Sequence, residues 1–299
     1  MTGEKKRVIA LGFFDGVHLG HQALLNRAVL RAGELDLSAA VFTFDRSPKE
    51  FVSGIRVPLL TTAEERRAAV YRASGIDEVI VEPFNEKMML TPWVDFVLML
   101  AQKYRAGWLV AGHDFRFGHM NAGTPALLCK KAAQLGMGCD IIPAVTLNGM
   151  TVSSTLIRQE LLLGNVDTAC RYLGSPYAIV GDVRHGKGLG RTIGAPTLNV
   201  IPADGLLIPA YGVYATRVTI GERSYHAVTN VGVRPTVDEN GGITVESHLL
   251  DANEQLYGRE CRVEFLKLLR KEEKFSDLQA LQRQIAADVA AVRDFFQGK

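Results

Sequence analysis

Two hydrophobic rhythms divide this chain. Up to about residue 160, short continuous apolar runs alternate with stretches whose apolar positions recur at helical spacing. The runs are VIALGFF (8–14), AAVFTF (39–44), EVIVEPF (78–84), WLVAG (108–112) and CDIIPAV (139–145). Between them Leu24, Leu25, Ala28 and Val29 mark one helical face, and residues 63–73, 92–104 and 124–135 predict further helices. Continuous apolar strands separated by helices read as a parallel sheet with both faces covered. Such a sheet takes ligands at the carboxyl ends of its strands, near a switch in strand order.

The rhythm changes near Leu173-Gly174-Ser175-Pro176. Just before it, 155–163 and 165–173 read as short helices. After it come closely spaced strand signals: YAIVGDV (177–183), GVYATRVTI (212–220), YHAVTNV (225–231), TVESHLL (244–250) and CRVEFLKLL (261–269). Short strands with little helix between them point to an antiparallel sandwich or barrel. A last helix is expected over 276–297, with Leu278, Leu281, Ile285, Val289 and Val292 on one side and Ser276 as its N-cap. The expectation is therefore an α/β domain over 1–174 and a β domain with a closing helix over 175–299.

Composition narrows the classes. At 299 residues, 47% of them apolar, the chain can bury two cores. Its 34 basic and 32 acidic residues leave a net charge of +2, so no electrostatic case exists for a nucleic-acid or membrane partner. The cysteines, Cys129, Cys139, Cys170 and Cys261, form no CxxC pair and read as neither a zinc site nor a secreted framework. The apolar stretch after Arg7 is too short for a signal peptide, and no run approaches the roughly 20 apolar residues of a membrane span. A soluble, cytoplasmic protein is expected, as a monomer or weak homo-oligomer.

Candidate chemistry begins at GFFDGVHLGHQ (12–22). A strand that ends in glycines and leads into a helix is a ready anion site, because the helix start offers unpaired N–H groups and partial positive charge. Gly12, Gly16 and Gly20 let backbone approach a phosphate closely. His18 and His21, three apart, share a helical face and can donate to charge developing on a phosphate. Taken alone the pair also suits capping histidines. TVSSTLIR (151–158) adds the hydroxyls of Ser153, Ser154 and Thr155 and the guanidinium of Arg158. These can grip polyphosphate oxygens or merely cap a helix.

The second half carries RHGKGLGRTIGAPTLN (184–199). Gly186, Lys187, Gly188, Gly190 and Arg191 make a flexible basic loop that can wrap phosphates or serve as a plain turn; it is not a Walker A motif. Thr197 and Asn199 start a strand, face one way and offer the oxygen donors that suit Mg²⁺. Glu246 in TVESHLLD can take a proton from a substrate hydroxyl, or simply face solvent.

GFFDGVHLGHQ, GHDFRFGHMNAG (112–123) and TVSSTLIR, in that order, resemble the adenylyltransferase module of bifunctional riboflavin kinase/FAD synthetases. GRTIGAPTLN, TNVGVRPTV (229–237), VESHLLD (245–251) and LYGRECRVEFLKLLRKEEKF (256–275) resemble the riboflavin kinase module, so the likeness spans nearly the whole chain. It implies a Rossmann-like parallel sheet and a six-stranded antiparallel barrel. It implies ATP as co-substrate, Mg²⁺, and riboflavin, FMN and FAD as substrate and products. ATP and phosphate would meet Gly12, Phe14, Gly16, His18, His21, Ser154, Thr155, Arg158, the 186–191 loop, Thr197 and Asn199. Flavin would meet Phe44, Asp114, Phe115, Arg234, Glu246 and Leu249, with Glu246 as base for the ribityl hydroxyl. Two positions depart from the family. Arg46-Ser47-Pro48 replaces a Pro-His-Pro element associated with flavin, and Ala195 stands where an aromatic is common. The first departure keeps a kinase-only enzyme open as an alternative; a flavin-binding regulator without turnover is another, against which the intact Thr197, Asn199 and Glu246 argue.

Overall fold

The computed structural model describes residues 5–184, 197–233, 243–252, 256 and 258–298. The chain divides into two compact units, Met1–Pro58 with Ala63–Ser154, and Leu59–Thr62 with Thr155–Lys299. The two helices expected to end the first domain thus pack with the second unit from Thr155 onward.

The first unit is built on five parallel strands, β1 (Arg7–Leu11), β2 (Ser38–Phe44), β3 (Glu78–Glu82), β4 (Ala106–Gly112) and β5 (Gly138–Ile142), in the order β3-β2-β1-β4-β5. Strand order reverses between β1 and β4, so the crevice there is the switch point. One face is covered by α1 (Leu19–Leu35) and α3 (Ala63–Ser74), the other by α5 (Trp93–Gln102) and α6 (Pro125–Gln134). Leu25 and Ala28 of α1 are fully buried against Val8 and Ala10 of β1. Each buried leucine contributes about 1.5–3 kcal/mol of hydrophobic stabilisation. Short helices α2 (Pro48–Ser53) and α4 (Glu86–Met89) follow β2 and β3, and β6 (Thr146–Leu147) pairs with β7 (Met150–Thr151).

Several expected boundaries shift for identifiable reasons. β1 stops at Leu11 rather than 14, since Phe14 and Val17 adopt left-handed φ of 60° and 43°. β3 and β5 stop before Pro83 and Pro143, which cannot donate to a ladder. The β6–β7 hairpin was not expected; its Asn148-Gly149 turn has positive φ at both residues, as a two-residue hairpin favours. Cys129 of α6 and Cys139 of β5 are joined in a disulfide with Cα atoms 5.2 Å apart, a pairing that the sequence spacing did not predict. α6 runs back along β5 and so brings the two together.

The second unit opens with α7 (Ser154–Leu163, from Thr155) and α8 (Val166–Leu173). Six antiparallel strands follow: β8 (Tyr177–Arg184), β9 (Thr197–Pro202), β10 (Gly212–Ile220), β11 (Arg223–Val233), β12 (Ile243–Leu249) and β13 (Glu260–Arg270). They close as β10-β11-β12-β9-β8-β13, so the barrel leaves no free edge. Within it Thr216, Thr229 and Ser247, all fully buried, form a chain of hydroxyl hydrogen bonds 2.6 and 2.8 Å long. α9 (Leu278–Gln297) packs outside against Ala215 and Leu250 through Val292. Its N-cap is Asp277 rather than Ser276: Asp277 accepts from the Ala280 N–H at 2.7 Å, and Ser276 donates to Asp277 instead.

Barrel strands approach closely at Gly181 of β8. A Cβ there would lie 2.0 Å from the carbonyl oxygen of Ile201. Gly181→Ala is expected to lower the unfolding temperature by roughly 4 °C or more, the effect of about 1–3 kcal/mol of overpacking, read by differential scanning calorimetry.

Candidate active sites

In the first unit, β1 delivers the chain into a tight turn and then into α1. His18 is the N-cap of α1, and its Nδ1 accepts the His21 N–H at 3.3 Å. A neutral imidazole that accepts at Nδ1 carries its proton on Nε2. His18 therefore presents a donor. The two rings stack with centroids 3.7 Å apart, and Phe14 backs His21 at 5.1 Å. His21 Nδ1 is sealed from solvent without a partner among the described residues. Burial, then His18, then the cation of Arg66 hold the His21 pKa well below its ordinary value. His21 is thus suited to donate a hydrogen bond as a neutral group.

Ser154 joins this turn by donating its hydroxyl to the Asp15 carbonyl at 3.0 Å. Thr155 and Arg158 follow on the first turns of α7, in the second unit. Gly12 and Gly16 flank the turn, with Gly16 at φ 82°. Phe14 takes a different part from the one expected: its ring is 1% exposed and packs in the core. Only its backbone is left to meet a phosphate.

The expected flavin residues of this unit lie at the carboxyl edge of the sheet. Phe44 ends β2 and packs edge-on to Phe42 and Phe84. Phe115 stacks on Phe117 at 5.4 Å beyond β4, and Asp114 is exposed beside Gly112. Phe44 and Phe115 flank one core cluster. The unusual Arg46-Ser47-Pro48 has a local explanation. Ser47 caps α2 by accepting from Glu50 N–H, and Pro48 occupies its first turn, where a missing N–H costs nothing.

Four residues around this turn gave no sequence signal. Thr43, buried, donates to the Phe13 carbonyl at 3.1 Å. Asp15 is 2% exposed, and Asp45 accepts from the Phe84 N–H at 2.8 Å. Arg66 of α3, 4% exposed, donates to the Phe44 carbonyl at 3.2 Å and lies 4.2 Å over the Phe13 ring.

In the barrel, register assembles the second site. Glu246 of β12 stands opposite Asn199 of β9 and Asn230 of β11, while Arg184 of β8 stands opposite Asn199. Residues directly opposite share a face with Cβ atoms about 5 Å apart. Thr197, two before Asn199, faces the same way and pairs with His248. Hydroxyl, carboxamide and carboxylate oxygens thus converge, a donor set that suits a hard cation such as Mg²⁺. Glu272 reaches this row by accepting from Asn230 at 3.4 Å. Asn230 and Glu272 were not singled out from sequence, since only register brings them to Glu246. Leu249 does not join the row: odd positions of β12 face the other way, and it is 7% exposed. Gly186, Lys187, Gly188, Gly190, Arg191, Ala195 and Arg234 lie outside the described residues.

Comparison with known proteins bears on both halves. Residues 2–156 match the FAD synthetase family and residues 173–296 the riboflavin kinase family. The bifunctional riboflavin kinase/FMN adenylyltransferase of Pseudomonas fluorescens is 39% identical over 96% of this chain and 92% of its own. Its namesake in Escherichia coli K12 is 37% identical over 97% and 92%. The chain belongs to the bifunctional riboflavin kinase/FMN adenylyltransferase family. The Bacillus subtilis member is 35% identical over 95% of this chain and 91% of its own. A solved structure described as a macrolide-efflux protein from Streptococcus pneumoniae superposes with a TM-score of 0.88 at 31% identity, over 98% of this chain and 95% of that one. Among the described residues no helix is long and apolar enough to cross a membrane.

For this family member the buried His21 sets a pH dependence. Its folded pKa lies below the unfolded value of about 6.5. Between the two the unfolded chain binds more protons, so stability falls as pH drops below about 6.5. The wild-type unfolding temperature is expected to decline more steeply between pH 7 and pH 5 than that of His21→Asn. Parallel curves would disprove the assignment.

Proposed function

We propose that the chain performs two ATP-driven transfers, one in each unit, with the residues assembled above in named roles. It is a bifunctional riboflavin kinase and FMN adenylyltransferase, and the stacked His18–His21 pair at a glycine-flanked helix start carries the adenylyl-transfer assignment.

In the barrel, the terminal ribityl hydroxyl of riboflavin attacks the γ-phosphate of ATP. The new O–P bond forms as the bond to ADP breaks. Glu246 accepts the hydroxyl proton, and FMN and ADP leave. Thr197 and Asn199 are the residues that would hold Mg²⁺, which would offset charge on the nucleotide phosphates. The convergence of three oxygen donors on one face supports this. Positioning and electrostatics do most of the work in such transfers.

In the first unit, an oxygen of the FMN phosphate attacks the α-phosphate of a second ATP. The bond to the β-phosphate breaks, giving FAD and pyrophosphate. The attacking phosphate is already ionised, so no base is required. His18, through Nε2–H, and His21 donate to the α-phosphate as charge builds there. Ser154 would help to hold the departing pyrophosphate through its hydroxyl. Phe44, Phe115 and Asp114 would receive the flavin at the carboxyl edge of the sheet. ATP dependence and reliance on free flavin support a cytoplasmic enzyme.

Separation of flavins after incubation with riboflavin, ATP and Mg²⁺ tests the reading. FMN followed by FAD is expected; FMN that accumulates without FAD would leave a kinase alone. His21→Ala is expected to reduce FAD formation by roughly 10²-fold or more with FMN formation nearly unchanged. Glu246→Gln is expected to reduce FMN formation by roughly 10²–10⁴-fold and spare adenylylation of added FMN. Equal damage to both steps by either change would refute the two-site scheme.

A further inference from the structure

Arg66 is an under-satisfied buried cation. The residue is 4% exposed, yet among the described residues only Nη2 has a hydrogen-bond partner, the neutral carbonyl of Phe44. Nη1 is sealed from solvent and bonds to nothing among the described residues. The carboxylates of Asp15 and Asp45 act on it through space. A guanidinium offers five donors in a fixed fork, and burying one without full pairing is costly. Proteins keep such groups where a ligand supplies the missing anion.

Its position says which anion. The Phe44 carbonyl ends β2, and Phe13 belongs to the turn that leads to His18 and His21. The guanidinium is close enough to His21 to act on it electrostatically. Asp15, whose carbonyl receives the Ser154 hydroxyl, is in the same turn. Arg66 therefore stands under the turn that the proposed adenylyl transfer uses, on the side of the aromatic edge formed by Phe44 and Phe84.

We propose that Arg66 is a phosphate-binding residue of the adenylyl-transfer site, its free Nη1 edge receiving a substrate phosphate at the β1–α1 turn. The inference rests on the adenylyltransferase reading above. Phe13 beside Arg66 is half-buried, between Gly12 and the left-handed Phe14. The phosphate belongs either to FMN or to ATP, and both offer a pair of oxygens that a guanidinium fork can meet.

The test uses the full chain with Arg66→Met and Arg66→Lys. FAD formation should fall roughly 10²-fold in Arg66→Met, recover in part in Arg66→Lys, and leave FMN formation from riboflavin unchanged. A raised KM for FMN assigns the acceptor phosphate, and a raised KM for ATP assigns the donor. Without substrate, Arg66→Lys, which keeps a cation beside Asp15 and Asp45, should melt close to the wild-type temperature. Inorganic phosphate, the group common to FMN and ATP, should raise the melting temperature of wild type more than that of Arg66→Met. That shift is read without turnover, so it tests Arg66 even if wild type forms no FAD, a result that would instead overturn the functional reading. An undiminished phosphate shift with unchanged KM values for FMN and ATP would make Arg66 a structural clamp and overturn the proposal. So would unchanged FAD formation.

Discussion

The first unit depends on one turn. Between the end of β1 and the start of α1, Phe14, Gly16 and Val17 all take positive φ within four residues. Two of the three carry a Cβ, and each such residue costs on the order of 1–3 kcal/mol. Strain of that size persists only where the surroundings over-determine the conformation. Here the Phe14 ring is locked in the core, Thr43 donates to the Phe13 carbonyl, and Ser154 donates to the Asp15 carbonyl. The result is a chain that reverses sharply and enters α1 with His18 as its cap. A relaxed turn would continue β1 and carry the histidines away from the strand ends. The strain is thus what sets the imidazoles at a helix N-terminus, where an anion is favoured.

The barrel solves a different problem. Among the described residues its candidate site is assembled by strand register, and none of Thr197, Asn199, Asn230 and Glu246 has a positive φ. Side chains on one face of β9, β12 and β11 line up because Glu246 pairs with Asn199 on one side and Asn230 on the other. A slip of one residue would turn Glu246 inward and Ser247 outward. Thr216, Thr229 and Ser247 resist that slip. Their hydroxyls satisfy one another only in this register, and a broken chain would leave polar groups buried unpaired. The inner face therefore fixes the outer one.

These two modes explain what the sequence discloses. Most strands and helices of both units were legible from periodicity, and the motif GFFDGVHLGHQ pointed to the turn between β1 and α1. Thr197, Asn199 and Glu246 were legible as chemistry, but their mutual placement depends on pairing between strands far apart in sequence. Asn230 and Glu272 carry no local mark, and neither does Arg66, which sits in a helix whose surface is otherwise charged. Prolines ended β3 and β5 earlier than apolar runs implied. Ser276 lost its cap to Asp277 because a carboxylate is the better acceptor for the Ala280 N–H. The Cys129–Cys139 pair follows from the packing of α6 along β5, which spacing cannot show.

The tautomer of His18 links the turn to the reaction. Because Nδ1 accepts from the backbone of α1, the proton of the neutral ring is committed to Nε2, and the donor direction is set by the helix itself. His21 is kept neutral by burial, by His18 and by Arg66. A pair of imidazolium ions would bind the ground-state triphosphate tightly. A neutral His21 would bind it less and would gain as charge accumulates on the α-phosphate. Only that difference between ground state and transition state speeds the step. The same cation that holds His21 neutral is itself short of partners. An anion entering the turn would therefore supply the group that Arg66 lacks, beside the two histidines proposed to donate to the transferred phosphate.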